Sequence, residues 1–255
     1  MSKRNTPQRR HQILALLNEQ GEVTVDDLAK RFETSEVTIR KDLTALESNG
    51  LLLRRYGGAV TLPQELITDQ SQPVSRYKQA IARAAAECIR EHARIVVDSG
   101  STTAALIGEL GAKPGLVVMT NSLNVARALT ELEQEPVVLM TGGTWDPHSE
   151  SFQGQVAEQV LRSYDFDQLF IGADGIDLQR GTTTFNELLG LSRVMAEVAR
   201  EVVVMAEADK VGRKIPNLEL PWSGIHTLIT DERLPLEARE QIQARGITVI
   251  CAAVS

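Results

Sequence analysis

Ser35-Glu36-Val37-Thr38-Ile39-Arg40-Lys41-Asp42-Leu43 is the stretch on which the reading of this chain turns. Ile39, Leu43 and Leu46 follow i, i+4, i+7 spacing and mark the buried stripe of a helix. Val37 and Lys41 then point away from that stripe, with Thr38 and Arg40 on its flanks. Ser35 is the expected N-cap and Gly50 the stop. Cations, a hydroxyl and small apolar groups on one exposed face suit the major groove. Lys41 and Arg40 reach phosphates or guanine edges, and Val37 or the Thr38 methyl packs on a thymine methyl.

Working outward, Arg9–Asn18 carries Ile13, Leu14 and Leu17 at helical spacing and ends at Gly21. Thr24 caps a second helix whose first turn holds Asp26 and Asp27, favoured there by the helix dipole, and whose buried stripe is Leu28, Ala29 and Phe32. Glu33–Thr34 is the short turn into the third helix. After it, Leu51–Arg55 reads as a strand, Gly57–Gly58 as a tight turn and Ala59–Val60 as the return: a wing with Arg54, Arg55 and Tyr56 at its tip, placed to meet DNA backbone or minor groove. A three-helix bundle with solvated charges is the plain alternative. The short turn and the Arg-Arg-Tyr-Gly-Gly hairpin favour double-stranded DNA.

The 255 residues carry a net charge of −7, unevenly spread. Residues 1–60 hold 10 Lys/Arg against 8 Asp/Glu, and the remainder 17 against 26. A mildly basic head on an acidic body excludes a general nucleic-acid coat protein. Cys88 and Cys251 read as buried small hydrophobes, and His11, His92, His148 and His226 have no ligand spacing, so no metal and no cofactor is expected. No stretch reaches the length of a membrane span, and a cytoplasmic protein is expected.

Three segments are expected: a winged helix-turn-helix over 1–60, a polar linker over 61–75 with Pro63 and Pro73, and an α/β domain over 76–255. The strand candidates are Arg94–Asp98, Leu116–Thr120, Val137–Thr141, Gln168–Gly172, Val202–Ala206, Thr227–Thr230 and Thr248–Ala252. Helical stretches at Ser101–Leu110, Ser122–Leu132, Gln155–Ser163, Asn186–Arg200 and Leu236–Arg245 separate most of them. This order implies a mostly parallel sheet covered on both faces.

In such sheets ligands sit at the carboxyl ends of the strands. Asp98-Ser99-Gly100-Ser101-Thr102-Thr103 joins a strand to a helix and offers hydroxyls and helix N–H groups, a phosphate cradle, although an ordinary N-cap would look similar. Thr120-Asn121-Ser122, Gly142-Gly143, Asp174-Gly175 with Asp177, and Lys210 fall at other strand ends. They would supply carboxylates to sugar hydroxyls and a cation to the anion. There is neither a Walker loop nor a GxGxxG.

Val23–Phe32, Ser35–Leu43 and Arg54–Ala59 together resemble the DeoR family of bacterial sugar-operon regulators. Within it the chain is most similar to the sorbitol-operon and glucosamine-metabolism regulators. The resemblance implies a DNA-binding head on a sugar-phosphate-sensing body whose fold is similar to ribose-5-phosphate isomerase and glucosamine-6-phosphate deaminase. By that resemblance Asp98–Thr103 holds the phosphate, an amino-sugar phosphate being favoured on overall similarity. Asp174, Asp177 and Glu187 take the places of acid/base carboxylates, with Lys210 nearby. The expected function is a transcriptional repressor, not an enzyme, acting as a homodimer or homotetramer on an operator. The alternative is a sugar-phosphate isomerase or deaminase with an accessory N-terminal interaction domain, in which Glu187 or Asp174 moves the proton.

Overall fold

The computed structural model describes residues 6–47, 52–55, 57–60, 74–147, 149–184, 189–213 and 215–254. The chain divides into two compact units, 1–71 and 72–255.

In the first unit, α1 (Thr6–Gln20), β1 (Glu22–Thr24), α2 (Val25–Arg31) and α3 (Glu36–Glu47) precede β2 (Leu53–Arg55) and β3 (Gly58–Val60). Thr24 accepts from the Asp27 amide and so starts α2, and Ser35 Oγ accepts from the Thr38 amide to start α3. Ile13, Leu17, Leu28, Ile39 and Leu43 are sealed in one core, each contributing about 2 kcal/mol by burial. The sheet order β1-β3-β2 was not anticipated, because the three-residue β1 carries no alternation long enough to read. It corrects the wing: Gly58 is not in the turn but in β3, opposite Arg55 on one side and Thr24 on the other. A Cβ on Gly58 would run into the Val23 carbonyl, so only glycine lets β3 approach β1 this closely. Gly57 takes φ +83° at the turn.

The second unit runs α4 (Arg76–Glu87), β4 (Arg94–Val97), α5 (Ser101–Ile107), β5 (Val117–Thr120), α6 (Leu123–Thr130), β6 (Val137–Met140), β7 (Thr144–Asp146), β8 (Ser151–Gln153), α7 (Gln155–Leu161) and β9 (Phe166–Ile171). It continues through β10 (Gly175–Asp177), β11 (Gly181–Thr184), α8 (Gly190–Glu197), β12 (Ala199–Met205), β13 (Asn217–Pro221), β14 (Thr227–Asp231), α9 (Leu236–Gln243) and β15 (Thr248–Ala252). The seven anticipated strands form one parallel sheet in the order β15-β14-β12-β9-β4-β5-β6. Successive residues of β4 feed opposite cores. Ile95 and Val97 pack with α4, α5 and α6, and Val96 packs with α7, α8 and α9.

The helix expected over Asn186–Arg200 is shorter: α8 ends at Glu197, and Ala199 already pairs with Phe166 at the start of β12. Cys88 and Cys251 are free and half-buried, not sealed. Also unforeseen were α4, the β7–β8 hairpin and a small antiparallel sheet, β10-β11-β13. Among the described residues no helix is long and apolar enough to cross a membrane.

The strand order marks one candidate position for a ligand. The chain winds outward from β4 through β5 to β6, then returns to β9 and winds outward the other way through β12, β14 and β15. The reversal lies between β4 and β9, and a crevice opens at the carboxyl ends of strands where the winding reverses. Asp98 follows β4 at that point, and Gly172–Asp174 follow β9.

Candidate DNA-reading surface and effector site

On the head, Val37 is 58% exposed. Arg40 and Lys41 are exposed beside it, and the Thr38 and Ser35 hydroxyls share a hydrogen bond of 2.9 Å. Val37, Arg40, Lys41, Thr44, Ala45 and Arg54 line one shallow groove between α3 and β2. Arg40 is held along the helix by Glu36. Arg54 is not at the wing tip. Its amide donates to Glu47 Oε1 at 3.0 Å and its guanidinium to Thr44 Oγ1 at 2.9 Å, which folds it back on α3 because β2 runs alongside that helix. The Arg55 backbone pairs with Gly58. Tyr56 lies outside the described residues.

Asp42 was missed. It sits within the reading stretch but is 2% exposed, receiving Arg9 Nε at 2.5 Å and Arg10 Nε at 2.9 Å. Two arginines counted toward the basic balance of the head are thereby paired with a buried carboxylate, Arg9 itself buried and Arg10 half-buried. Their signal is a carboxylate three residues after Ile39 and one before Leu43, on the edge of the apolar stripe.

In the body, the loop after β4 braces itself. Thr103 Oγ1 donates to the carbonyls of Asp98 (2.8 Å) and Gly100 (3.0 Å), and Gly100 takes φ +141° to turn the chain into α5. Thr102 is buried. Ser101 Oγ accepts from Lys78 Nζ at 2.9 Å. Asn121 is 1% exposed; its Oδ1 accepts from the Ser99 amide at 3.1 Å, and its Nδ2 is buried without a hydrogen-bond partner. Thr120 Oγ1 accepts from the Ser122 amide, and Ser122 caps α6. Both hydroxyls accept from loop or helix amides and are buried. Gly142 and Gly143 end β6, two strands from the winding reversal.

Three carboxyl groups feel one another here. Burial pushes Asp98 up to about 6, partly offset by hydrogen bonds from Ser99 and Asn121, and Asp174 pushes it further up. Glu219 on β13 is pushed up to about 8, first by burial, then by Asp98 and Asp174. The Ser192 hydroxyl donates to it at 2.9 Å. Asp174 accepts from Thr184 Oγ1 at 2.6 Å, and Lys210 Nζ donates to the Ala173 carbonyl at 2.8 Å. Sequence reasoning missed Glu219 and Lys78, which reach the site from β13 and α4.

Asp177 does not join this group. Its carboxylate accepts from the Gln179 and Arg180 amides and pairs with Arg180 Nε at 2.8 Å, which holds it below the usual carboxylate range. Arg180 is anchored in turn on the Ile215 carbonyl, so Asp177 closes the β10–β11 turn. Gly175 is buried in β10, and Glu187 lies outside the described residues.

Residues 9–65 match the family profile described as a DeoR-like helix-turn-helix domain, and residues 74–232 match the DeoR C-terminal sensor domain. The chain belongs to the DeoR family. It is similar to a putative aga operon transcriptional repressor of Escherichia coli O157:H7, 39% identical over 96% of this chain and 93% of that protein. The transcriptional regulator GlpR of Haloferax volcanii is 32% identical over 95% of this chain and 96% of its own length. Among solved structures, ribose 5-phosphate isomerase A of Methanocaldococcus jannaschii overlaps 52% of this chain and 53% of its own, with TM-score 0.38 and 20% identity. As a DeoR-family member the chain is a DNA-binding transcription regulator with a helix-turn-helix head and a sensor body. This reading stands over the isomerase or deaminase alternative, because the full-length relatives are named as regulators.

Proposed function

We propose that this regulator is a repressor of a carbohydrate operon whose grip on DNA is set by a phosphorylated sugar in the crevice between β4 and β9. The observation that carries the effector reading is the convergence there of Asp98, Asp174, Glu219, Ser101 and a buried, unpartnered Asn121 Nδ2. The carboxyl groups hydrogen-bond sugar hydroxyls, Asn121 donates to a sugar oxygen, and the Ser99–Thr103 loop with Lys78 meets the phosphate. Asp177 and Lys210 brace the walls rather than touch the ligand.

On the head, Ser35, Val37, Thr38, Arg40 and Lys41 enter the major groove, with Arg54, Arg55, Tyr56, Gly57 and Gly58 carrying the wing. With Arg9 and Arg10 paired to Asp42, one head has fewer cations left for phosphates. Two or more heads of a homodimer or homotetramer therefore act together on a repeated site.

Thermal unfolding tests the effector reading. A phosphorylated sugar raises the Tm of the body and its unphosphorylated parent does not. The rise disappears in Ser101→Asp, which puts a negative charge where the phosphate lies. A rise that survives this change overturns the assignment.

A further inference from the structure

We propose that Lys78 is the residue that reports ligand occupancy: it trades Glu207 for the anionic group of the effector, and the trade loosens the first turn of α4. The inference rests on the sugar-phosphate reading above and adds its route of regulation. Lys78 Nζ lies between two partners, Ser101 Oγ at 2.9 Å and Glu207 Oε2 at 3.9 Å, with the lysine side chain 17% and the glutamate 14% exposed. The second contact is at the outer limit of an ion pair, so the ammonium is shared rather than locked.

Glu207 is the hub on the far side. Its Oε1 accepts from Ser75 Oγ at 2.9 Å and lies 3.8 Å from Arg233 Nη2. Ser75 Oγ is also the N-cap of α4, accepting from the amides of Tyr77 (3.2 Å) and Lys78 (3.4 Å). Arg233 stacks on the Tyr77 ring at 3.5 Å and pairs with Asp231. One carboxylate therefore ties the first turn of α4, through Ser75 and through the Arg233–Tyr77 stack, to a lysine already bonded to the cradle. The same turn follows directly on the segment leading from the head.

A phosphate dianion beside Ser101 carries more charge, at shorter range, than a carboxylate 3.9 Å away, and charge-assisted hydrogen bonds to it are the stronger ones. Lys78 then turns wholly to the ligand. Glu207 keeps Arg233 and draws closer to it, and the Ser75 cap weakens. An effector shifts a conformation only by binding one state better than the other, and this exchange supplies the difference.

Calorimetry and amide hydrogen exchange on the full-length protein test it, with ribose 5-phosphate, glucose 6-phosphate, glucosamine 6-phosphate and inorganic phosphate as probes. With whichever probe binds the wild type, Lys78→Met weakens binding at least tenfold and Lys78→Arg restores most of it. Saturation speeds exchange at the Tyr77 and Lys78 amides several-fold in the wild type. Glu207→Gln keeps the ligand, exchanges fast at both amides before any is added, and shows no further change. Lys78→Met binding within twofold of a wild type that does bind, or unchanged exchange at these amides on saturation, overturns the proposal alone. A wild type that binds no phosphorylated sugar overturns the effector reading and this inference together.

Discussion

Arg9 of α1 and Asp42 of α3 are ion-paired at 2.5 Å inside the head, with side-chain exposures of 10% and 3%. The pair ties α1 to α3. Removing one member of a buried pair costs about 3 kcal/mol, because the remaining charge is left without water or partner. Asp42→Ala should therefore lower the midpoint of head unfolding in urea sharply and abolish DNA binding, while the midpoint of the body stays put. An unchanged head would show the pair to be dispensable.

Gly58 makes a separate structural prediction. Gly58→Ala forces β3 away from the Val23 carbonyl, at a cost of about 1–3 kcal/mol from overpacking. The wing should lose amide protection at Ala59 and Val60, and operator affinity should fall although no DNA-facing side chain has changed.

Lys41 tests the assigned face directly. Lys41→Ala should weaken operator binding several-fold and lower the slope of log K against log salt by about 1 if it neutralises a phosphate. If it reads a base instead, the loss concentrates at one operator position and the slope is unchanged. Equal affinity for all sequences at all salts would remove Lys41 from the surface.

Glu219 predicts a pH dependence. It keeps its proton in the fold up to about 8 but releases it near 4.5 when unfolded. The folded state thus binds the extra proton within that window, and stability falls as pH rises through it. Asp98 adds the same sign between 3.8 and about 6. Glu219→Gln, uncharged at every pH, should match the wild type near pH 4 and exceed it at pH 8. The Tm of the variant should exceed that of the wild type at pH 8 and the gap should close as pH falls. A Tm difference independent of pH would show that Glu219 is ionised in the fold.

The head and the parallel sheet were legible because their signals are local. Ile39, Leu43 and Leu46 repeat at helical spacing within twelve residues, and runs such as Arg94–Asp98 are short, β-branched and closed by turn residues. The site was legible only where one loop carries it, as in Asp98–Thr103. Glu219 in Asn-Leu-Glu-Leu-Pro reads as the solvent side of an edge strand. Only pairing of β13 with β11, some 35 residues earlier, turns it inward. Lys78 stands 23 residues before Ser101, on a separate helix, and only the fold brings the two together. Asp177 shows the converse: a carboxylate in Gly-Ile-Asp at a strand end looks free until Arg180 is seen to fold back on it.

Operator affinity with and without ligand tests the central claim most directly. The DNA fragments that the full-length protein selects from its genome would be labelled and titrated by fluorescence anisotropy against the sugar phosphates and their parent sugars. The account predicts that one phosphorylated sugar changes the operator Kd at least tenfold, that its unphosphorylated parent does nothing, and that Ser101→Asp binds the operator but ignores the ligand. An operator Kd that no phosphorylated sugar moves, or one that the parent sugar moves equally, would contradict it.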